Sequence, residues 1–151
     1  VVTVAAIPRR TLTDLVLRVG VGERVHLYLD VSGSVESLLE KLHEAVRDVA
    51  HLVGRDVHIF ATNLQDVSVE DLATGTCMTT GGTSIVPVAR HIREARVRRA
   101  VIVTDGQLGI IGARDRETLA RTILGVALTS GREEDGDLAR LARHVVVLTG
   151  L

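Results

Sequence analysis

The sequence predicts an α/β fold in which a doubly wound, mostly parallel sheet is flanked by helices. Strand-like apolar runs alternate along the chain with amphipathic segments of helical period, and this alternation implies right-handed crossovers between parallel strands. The run from Val25 to Leu29 is nearly all apolar, as expected for a strand that is covered on both faces. The 151 residues, 46% of them hydrophobic, suit one domain with its own core.

The spacing of apolar residues also predicts the elements that follow this first strand. From Val35 to Val53 these residues recur at the i, i+3, i+4 and i+7 positions of a helix, and the segment from Val57 to Phe60 predicts a second strand. The polar stretch from Asn63 to Gly82 is predicted to be a loop that contains one short edge strand near Val67 to Val69.

The second half of the chain continues the alternation. A helix is predicted from Ser84 to about Arg96, with Pro87 in its first turn, where a missing backbone N–H costs least. The remaining predicted elements are a strand from Ala100 to Thr104, a short helix near Asp115 to Ala120, a strand from about Thr122 to Leu128, a helix capped by Asp137, and a strand from Val145 to Leu148.

The first 24 residues are predicted to be an N-terminal extension of a domain that spans residues 25–151. Leu15, Leu17 and Val19 stand at alternate positions, which favours an added edge strand, and the two glycines around Val21 would turn the chain into the central strand. The sequence starts at Val1 and has no signal-peptide pattern, so we expect it to be a piece of a longer protein.

Composition limits the classes of partner. The formal net charge of -1 gives no overall attraction to nucleic acid or anionic lipid, and no apolar stretch approaches the roughly 18 residues that suggest a membrane span. We interpret the basic stretch from His91 to Arg99 as ordinary positive charge at a helix C-terminus rather than a nucleic-acid surface. Cys77 is the single cysteine, so no intrachain disulfide is possible and we expect a cytoplasmic protein.

Oxygen-bearing side chains gather at the ends of two predicted strands. Asp30, Ser32 and Ser34 follow the first buried strand, Asp105 follows a later one, and Thr83 precedes a helix. In open parallel sheets, ligands bind outside the carboxyl ends of the strands, where the strand order reverses. Two carboxylates, three hydroxyls and water suit a hard cation, so these residues predict a site for Mg²⁺, or for Mn²⁺ or Ca²⁺.

Charge favours an ion over an empty site. Two carboxylates a short distance apart repel each other, and a divalent cation removes that repulsion. The helices predicted to begin near Ser34 and Ser84 would point their N-termini toward the site, where partial positive charge favours an additional anion. An ion with an open coordination position at this place is suited to bind a carboxylate.

These residues resemble the metal-ion-dependent adhesion site of von Willebrand factor type A (vWA) domains. Asp30-x-Ser32-x-Ser34, then a threonine after two glycines, then an aspartate before a glycine, have the order, spacing and strand-end placement of that family. The resemblance implies a Rossmann-like vWA fold. It also implies that Ser32, Ser34 and Thr83 contact the metal through their hydroxyls, while Asp30 and Asp105 hold it directly or through water.

The resemblance covers roughly residues 25–148 and implies a protein-interaction module rather than an enzyme. In the family, an Asp or Glu of a partner protein fills the open position of the metal. Few aromatics and no disulfide favour the intracellular bacterial relatives, which often work with AAA+ ATPases or within larger regulatory proteins. The chain has a single lysine, Lys41, and many arginines. This preference for arginine over lysine is also typical of GC-rich bacterial genomes. We therefore expect the partner to be another protein or another domain of the parent chain.

Two alternative interpretations of the same residues stay open. The segment around Asp30 also suits a turn and a helix N-cap, which is the commonest role of such residues. The alternative function is a Mg²⁺-dependent phosphohydrolase. Phosphatases of the haloacid-dehalogenase type carry a second aspartate where this chain has Ser32, and they need a lysine, for which the chain offers only Lys41.

The six histidines are not predicted to form a site, because their spacing is not that of metal ligands. His43 and His51 are assigned to the flanks of a helix, and His26 and His58 are assigned to strands.

Overall fold

The computed structural model describes residues 2–7, 10–31, 36–53, 56–68, 83–129 and 136–148. In chain order the elements are β1 (Val2–Ile7), α1 (Arg10–Gly20), β2 (His26–Asp30), α2 (Glu36–Val53), β3 (Val57–Phe60), β4 (Leu64–Asp66), α3 (Val86–Glu94), β5 (Arg99–Thr104), α4 (Ala113–Arg121), β6 (Ile123–Leu128), α5 (Asp137–Leu141) and β7 (His144–Leu148). In these ranges no helix has the length and apolar composition that crossing a membrane requires.

The strands form one sheet in the order β1-β7-β6-β5-β2-β3-β4. All neighbouring pairs in this order are parallel except β3 and β4, which are antiparallel. From β2 the chain moves outward to β3, whereas from β5 it moves the other way to β6 and β7. The strand order therefore reverses between β2 and β5, and the predicted α/β class with a mostly parallel, doubly wound sheet is confirmed.

Two apolar layers cover the sheet, one on each face. Leu27 and Leu29 of β2 belong to the layer under α1 and α2, while Tyr28 between them belongs to the layer under α3, α4 and α5. This alternation is expected, because successive side chains of a strand point to opposite faces. All three side chains are fully buried, so β2 is covered on both faces, as its apolar sequence predicted.

The first residues differ from the prediction. Leu15 to Val19 do not form an edge strand but lie in α1, which packs against α2 and against β5, β6 and β7. Leu12, Leu15, Val16 and Val19 recur at helical spacing, and each is at most 1% exposed. An added edge strand does exist, but it is β1, which pairs in parallel with β7.

Smaller differences concern element ends. The short edge strand is β4 rather than the segment around Val67, although the Val67 N–H still donates to the Val57 carbonyl at 3.0 Å. Asp137 is the first residue of α5 and does not cap it; Gly136 stands at the N-cap, and the Asp137 carboxylate accepts a hydrogen bond from Arg116 at 3.1 Å. The remaining predicted helices and strands within the described ranges agree with the structure to within about two residues.

Candidate functional site

Asp30 is the last residue of β2, and its side chain lies at the point where the strand order reverses. The residue is 7% exposed. Thr104, the last residue of the neighbouring β5, donates its hydroxyl to Asp30 Oδ2 at 2.7 Å. Thr83 donates its hydroxyl to Asp30 Oδ1 at 3.3 Å. Both oxygens of this buried carboxylate thus accept a threonine hydroxyl, which balances part of the cost of burying the charge.

Asp105 follows β5 directly and is partly exposed. Its Oδ1 accepts the backbone N–H of Gln107 at 2.9 Å, and the N–H of Gly106 donates to the Thr104 hydroxyl at 3.1 Å. Gly106 has φ +88°, a backbone conformation that residues other than glycine rarely adopt. These local contacts turn the chain sharply at the end of β5 and hold Asp105 at the same edge of the sheet as Asp30.

The segment that leads into α3 is tied to the same edge. The Ser84 N–H donates to the Ala61 carbonyl, just past the end of β3, at 2.8 Å. The Ser84 hydroxyl accepts the Val86 N–H at 3.2 Å, while the N-cap position itself is occupied by Ile85, whose side chain makes no cap hydrogen bond. The helix α3 therefore begins close to Thr83. Its N-terminus carries a partial positive charge, which lies at this edge of the sheet.

The structure therefore brings together part of the predicted metal site. Asp30 and Thr83 are in direct contact, and Asp105 follows the strand next to Asp30. Ser32 and Ser34 lie outside the described residues, as do the two glycines before Thr83.

A second polar cluster was not predicted from the sequence. His26 on β2, His58 on β3 and His91 on α3 each offer a ring nitrogen, and these three atoms lie within 4.8 Å of one another. His26 Nδ1 and His58 Nε2 are 3.0 Å apart, and their rings are stacked with centroids 5.2 Å apart. The His26 side chain is 12% exposed and that of His58 is 5% exposed.

A ring nitrogen of each histidine in this cluster also faces a polar group. His58 Nδ1 lies 2.6 Å from Asp66 Oδ1, and His91 Nδ1 lies 2.7 Å from the Tyr28 hydroxyl. His26 Nε2 lies 3.9 Å from Asp56 Oδ1. The Arg24 guanidinium binds both carboxylate oxygens of Asp56, so the acid beside His26 is itself held in place.

Burial sets the protonation state of His26 and His58. It lowers the pKa of His26 to about 4 and also lowers the pKa of His58, although Asp56 and Asp66 act in the opposite direction. Burial alone would raise the pKa of Asp56, but the hydrogen bond from Arg24 and the nearby positive charge bring it below its usual value. At neutral pH the two histidines are therefore uncharged and Asp56 is ionised.

The sequence carried a weak signal for the cluster. His26 and Tyr28 stand at alternate positions of one strand and so share a face, and Tyr28 is the register partner of His58. The pairing of β2 with β3 brings His58 to this face, and the packing of α3 on the same face brings His91. The spacing of the histidines in the sequence predicts neither contact.

No protein-family model matches the chain, and none of the curated proteins matches it significantly. The fold and the geometry of the two clusters are therefore the basis for the proposals that follow.

Proposed function

We propose that the chain is a vWA-like, Mg²⁺-dependent protein-interaction module. Asp30, Ser32, Ser34, Thr83 and Asp105 would hold the ion, and an acidic side chain of a partner would complete its coordination. The observation that carries this proposal is the pair of threonine hydroxyls on the two oxygens of Asp30, at the point where the strand order reverses. Mn²⁺ or Ca²⁺ would suit the same set of oxygen ligands.

The chemistry of the described residues fits such an ion. A threonine hydroxyl has one hydrogen to donate and two lone pairs, so Thr83 can keep its hydrogen bond to Asp30 while an oxygen lone pair faces a cation. The proposed hydroxyl ligands are neutral, so the ion would stay electrophilic where Asp30 and Asp105 hold it through water rather than directly. Such an ion would attract a carboxylate from outside the domain.

The surface beside the site offers apolar contacts to a partner. Ile110, on the loop that follows Asp105, is 94% exposed, and Val86, at the start of α3 near Thr83, is 43% exposed. A cavity of about 370 Å³ lies along the same loop and is lined in part by Leu108. A partner that placed a carboxylate on the ion would cover exposed apolar side chains next to it, which would add to the affinity.

Catalysis fits the described residues less well than binding does. Beyond Asp30 and Asp105, the described residues at this edge of the sheet offer no obvious general base, and the proposal assigns both aspartates to the metal. The proposed activity is therefore recognition of an acidic partner, which could be another domain of the parent chain or part of an AAA+ ATPase system.

The proposal can be tested with Mn²⁺ as the probe, because its unpaired electrons relax the protons of coordinated water. We expect saturable Mn²⁺ binding whose effect on water relaxation falls when millimolar glutamate displaces water from the ion. The Asp30→Ala and Asp105→Ala variants should lose this binding. Asp48→Ala, which removes an exposed carboxylate from α2, is the matched control and should bind as the wild type does.

Two outcomes would contradict the proposal. Unchanged Mn²⁺ binding in both aspartate variants would show that the ion lies elsewhere. Hydrolysis of a generic phosphate ester that required Mg²⁺ and disappeared in Asp30→Asn would instead favour the phosphohydrolase.

A further inference from the structure

We propose that His26, His58 and His91 form a second metal site, which takes Zn²⁺ or a similar imidazole-preferring transition-metal ion. The three ring nitrogens lie within 4.8 Å of one another on three different elements of the fold. His26 begins β2 whereas Asp30 ends it, so this histidine site lies toward the opposite edge of the sheet from the Asp30 site. The proposal does not depend on the function proposed above.

The spacing of the nitrogens suits a tetrahedral ion. Zinc binds imidazole nitrogen at about 2.0–2.1 Å, so two nitrogens on one tetrahedral zinc lie about 3.3 Å apart. His26 Nδ1 and His58 Nε2 are 3.0 Å apart, already close to this separation. A small movement of the rings would bring all three nitrogens to bonding distance from one central ion.

The contacts of the outer nitrogens are those expected of metal ligands. A histidine that binds a metal usually directs its second ring nitrogen to a carboxylate or another polar group, which fixes the orientation of the ring. His58 has this arrangement with Asp66, at 2.6 Å. His91 is held by the Tyr28 hydroxyl through Nδ1, which leaves Nε2 as the nitrogen for the metal.

Two of the three rings have a carboxylate close by, which favours a bound cation. Asp56 and Asp66 each stand beside a histidine, and Arg24 is the cation that pairs with Asp56. The carboxylates beside the rings would offset part of the charge of a bound divalent ion.

A cavity adjoins one of the three proposed ligands. His26 borders a cavity of about 180 Å³, whose lining includes Arg24, Arg96, Arg98 and Arg99. Three protein ligands leave the fourth position of zinc for water or another small ligand.

The test uses the whole chain without a polyhistidine tag, titrated with Zn²⁺ by calorimetry in saturating Mg²⁺. We expect one zinc per chain, and a visible absorption spectrum typical of tetrahedral coordination when Co²⁺ replaces it. His58→Gln and His91→Gln should each weaken zinc binding by at least about tenfold. His51→Gln, on the exposed surface of α2, is the matched control and should bind zinc as tightly as the wild type.

A milder variant keeps the test valid if a histidine variant fails to fold. Asp66 is 76% exposed in its side chain, so Asp66→Asn should preserve the fold while it weakens zinc binding by about 10–100-fold. The proposal is overturned if the wild type binds no zinc. It is also overturned if folded His58→Gln and His91→Gln bind zinc as tightly as the wild type, or if only Asp30→Ala abolishes binding.

Discussion

Thr104 joins the ends of two strands through a single hydroxyl. It donates to Asp30 Oδ2 at 2.7 Å and accepts the Gly106 N–H at 3.1 Å, so it links the carboxylate at the end of β2 to the turn that carries Asp105. Thr104 itself is 1% exposed. The positions of the two carboxylates proposed as metal ligands therefore depend on the same buried side chain.

Replacing Thr104 with valine should destabilise the fold. Valine has a similar volume but no hydroxyl, so Asp30 loses a donor and the Gly106 N–H loses its acceptor. We expect a loss of about 1–3 kcal/mol in the free energy of unfolding, measured with urea. Thr104→Ser keeps the hydroxyl and should retain more of this stability; equal losses in the two variants would contradict the explanation.

Stability should fall in mild acid because of the histidine cluster. The folded pKa of His26 is about 4, below the ordinary value of 6.5, so between these values the unfolded chain binds more protons than the folded one. The contribution of His26 is fully present above pH 6.5 and is lost as the pH falls toward about 4. One such group contributes at most about 1.4 kcal/mol per pH unit.

This pH dependence can be measured as the urea midpoint of unfolding at several pH values. The wild type should lose stability on acidification, and His58 should add to the loss because its pKa is also lowered. In His26→Gln the loss should be smaller, since glutamine does not titrate. An equally steep loss in that variant would mean that other groups dominate the acid sensitivity.

The contact between α1 and β6 should not tolerate an added methyl group. A Cβ at Gly125 would lie 2.7 Å from Val19 Cγ2 and 2.9 Å from Leu15 Cδ1, well inside van der Waals contact. Gly125→Ala should therefore cost about 1–3 kcal/mol in thermal or urea unfolding. The control is Gly112→Ala, because a Cβ there meets no atom within 4 Å; similar effects at both positions would argue against close packing of α1.

Replacing Arg93 should destabilise the fold, because a buried carboxylate between α3 and α4 would lose its ion pair. Arg93 donates to Asp115 at 2.8 Å, and the Asp115 side chain is only 12% exposed. Arg93→Met should destabilise by about 1–3 kcal/mol, because it leaves this carboxylate without its cation. In the Asp115→Asn background the same change should cost less, and a double-mutant cycle measures the difference. Equal costs in both backgrounds would contradict the pairing.

The sequence was most informative where side-chain pattern and local structure coincide. The apolar run around Leu27 predicted a strand covered on both faces, and the helical spacing up to Val53 predicted α2. The same reasoning fails for α1, because the alternation of Leu15, Leu17 and Val19 favours a strand. Leu17 is in fact 51% exposed, and the helical set that includes Leu12 and Val16 forms the buried face.

The two candidate sites differ in how far sequence could predict them. Asp30 and Asp105 stand at strand ends, so a parallel sheet alone places them at one edge, and the strand order brings those ends together. The histidine cluster depends instead on strand register and on the docking of α3. These are long-range relationships that the spacing of His26, His58 and His91 does not contain.

The pairing of β1 with β7 has a consequence for the order in which the sheet folds. Val2 pairs with His144, and α1 covers strands that come much later in the chain, so these contacts join residues that are far apart in the sequence. Contacts between such distant residues form slowly, because closing long loops costs chain entropy. We therefore expect β1 to join the sheet late in folding, after strands that are closer in sequence have paired.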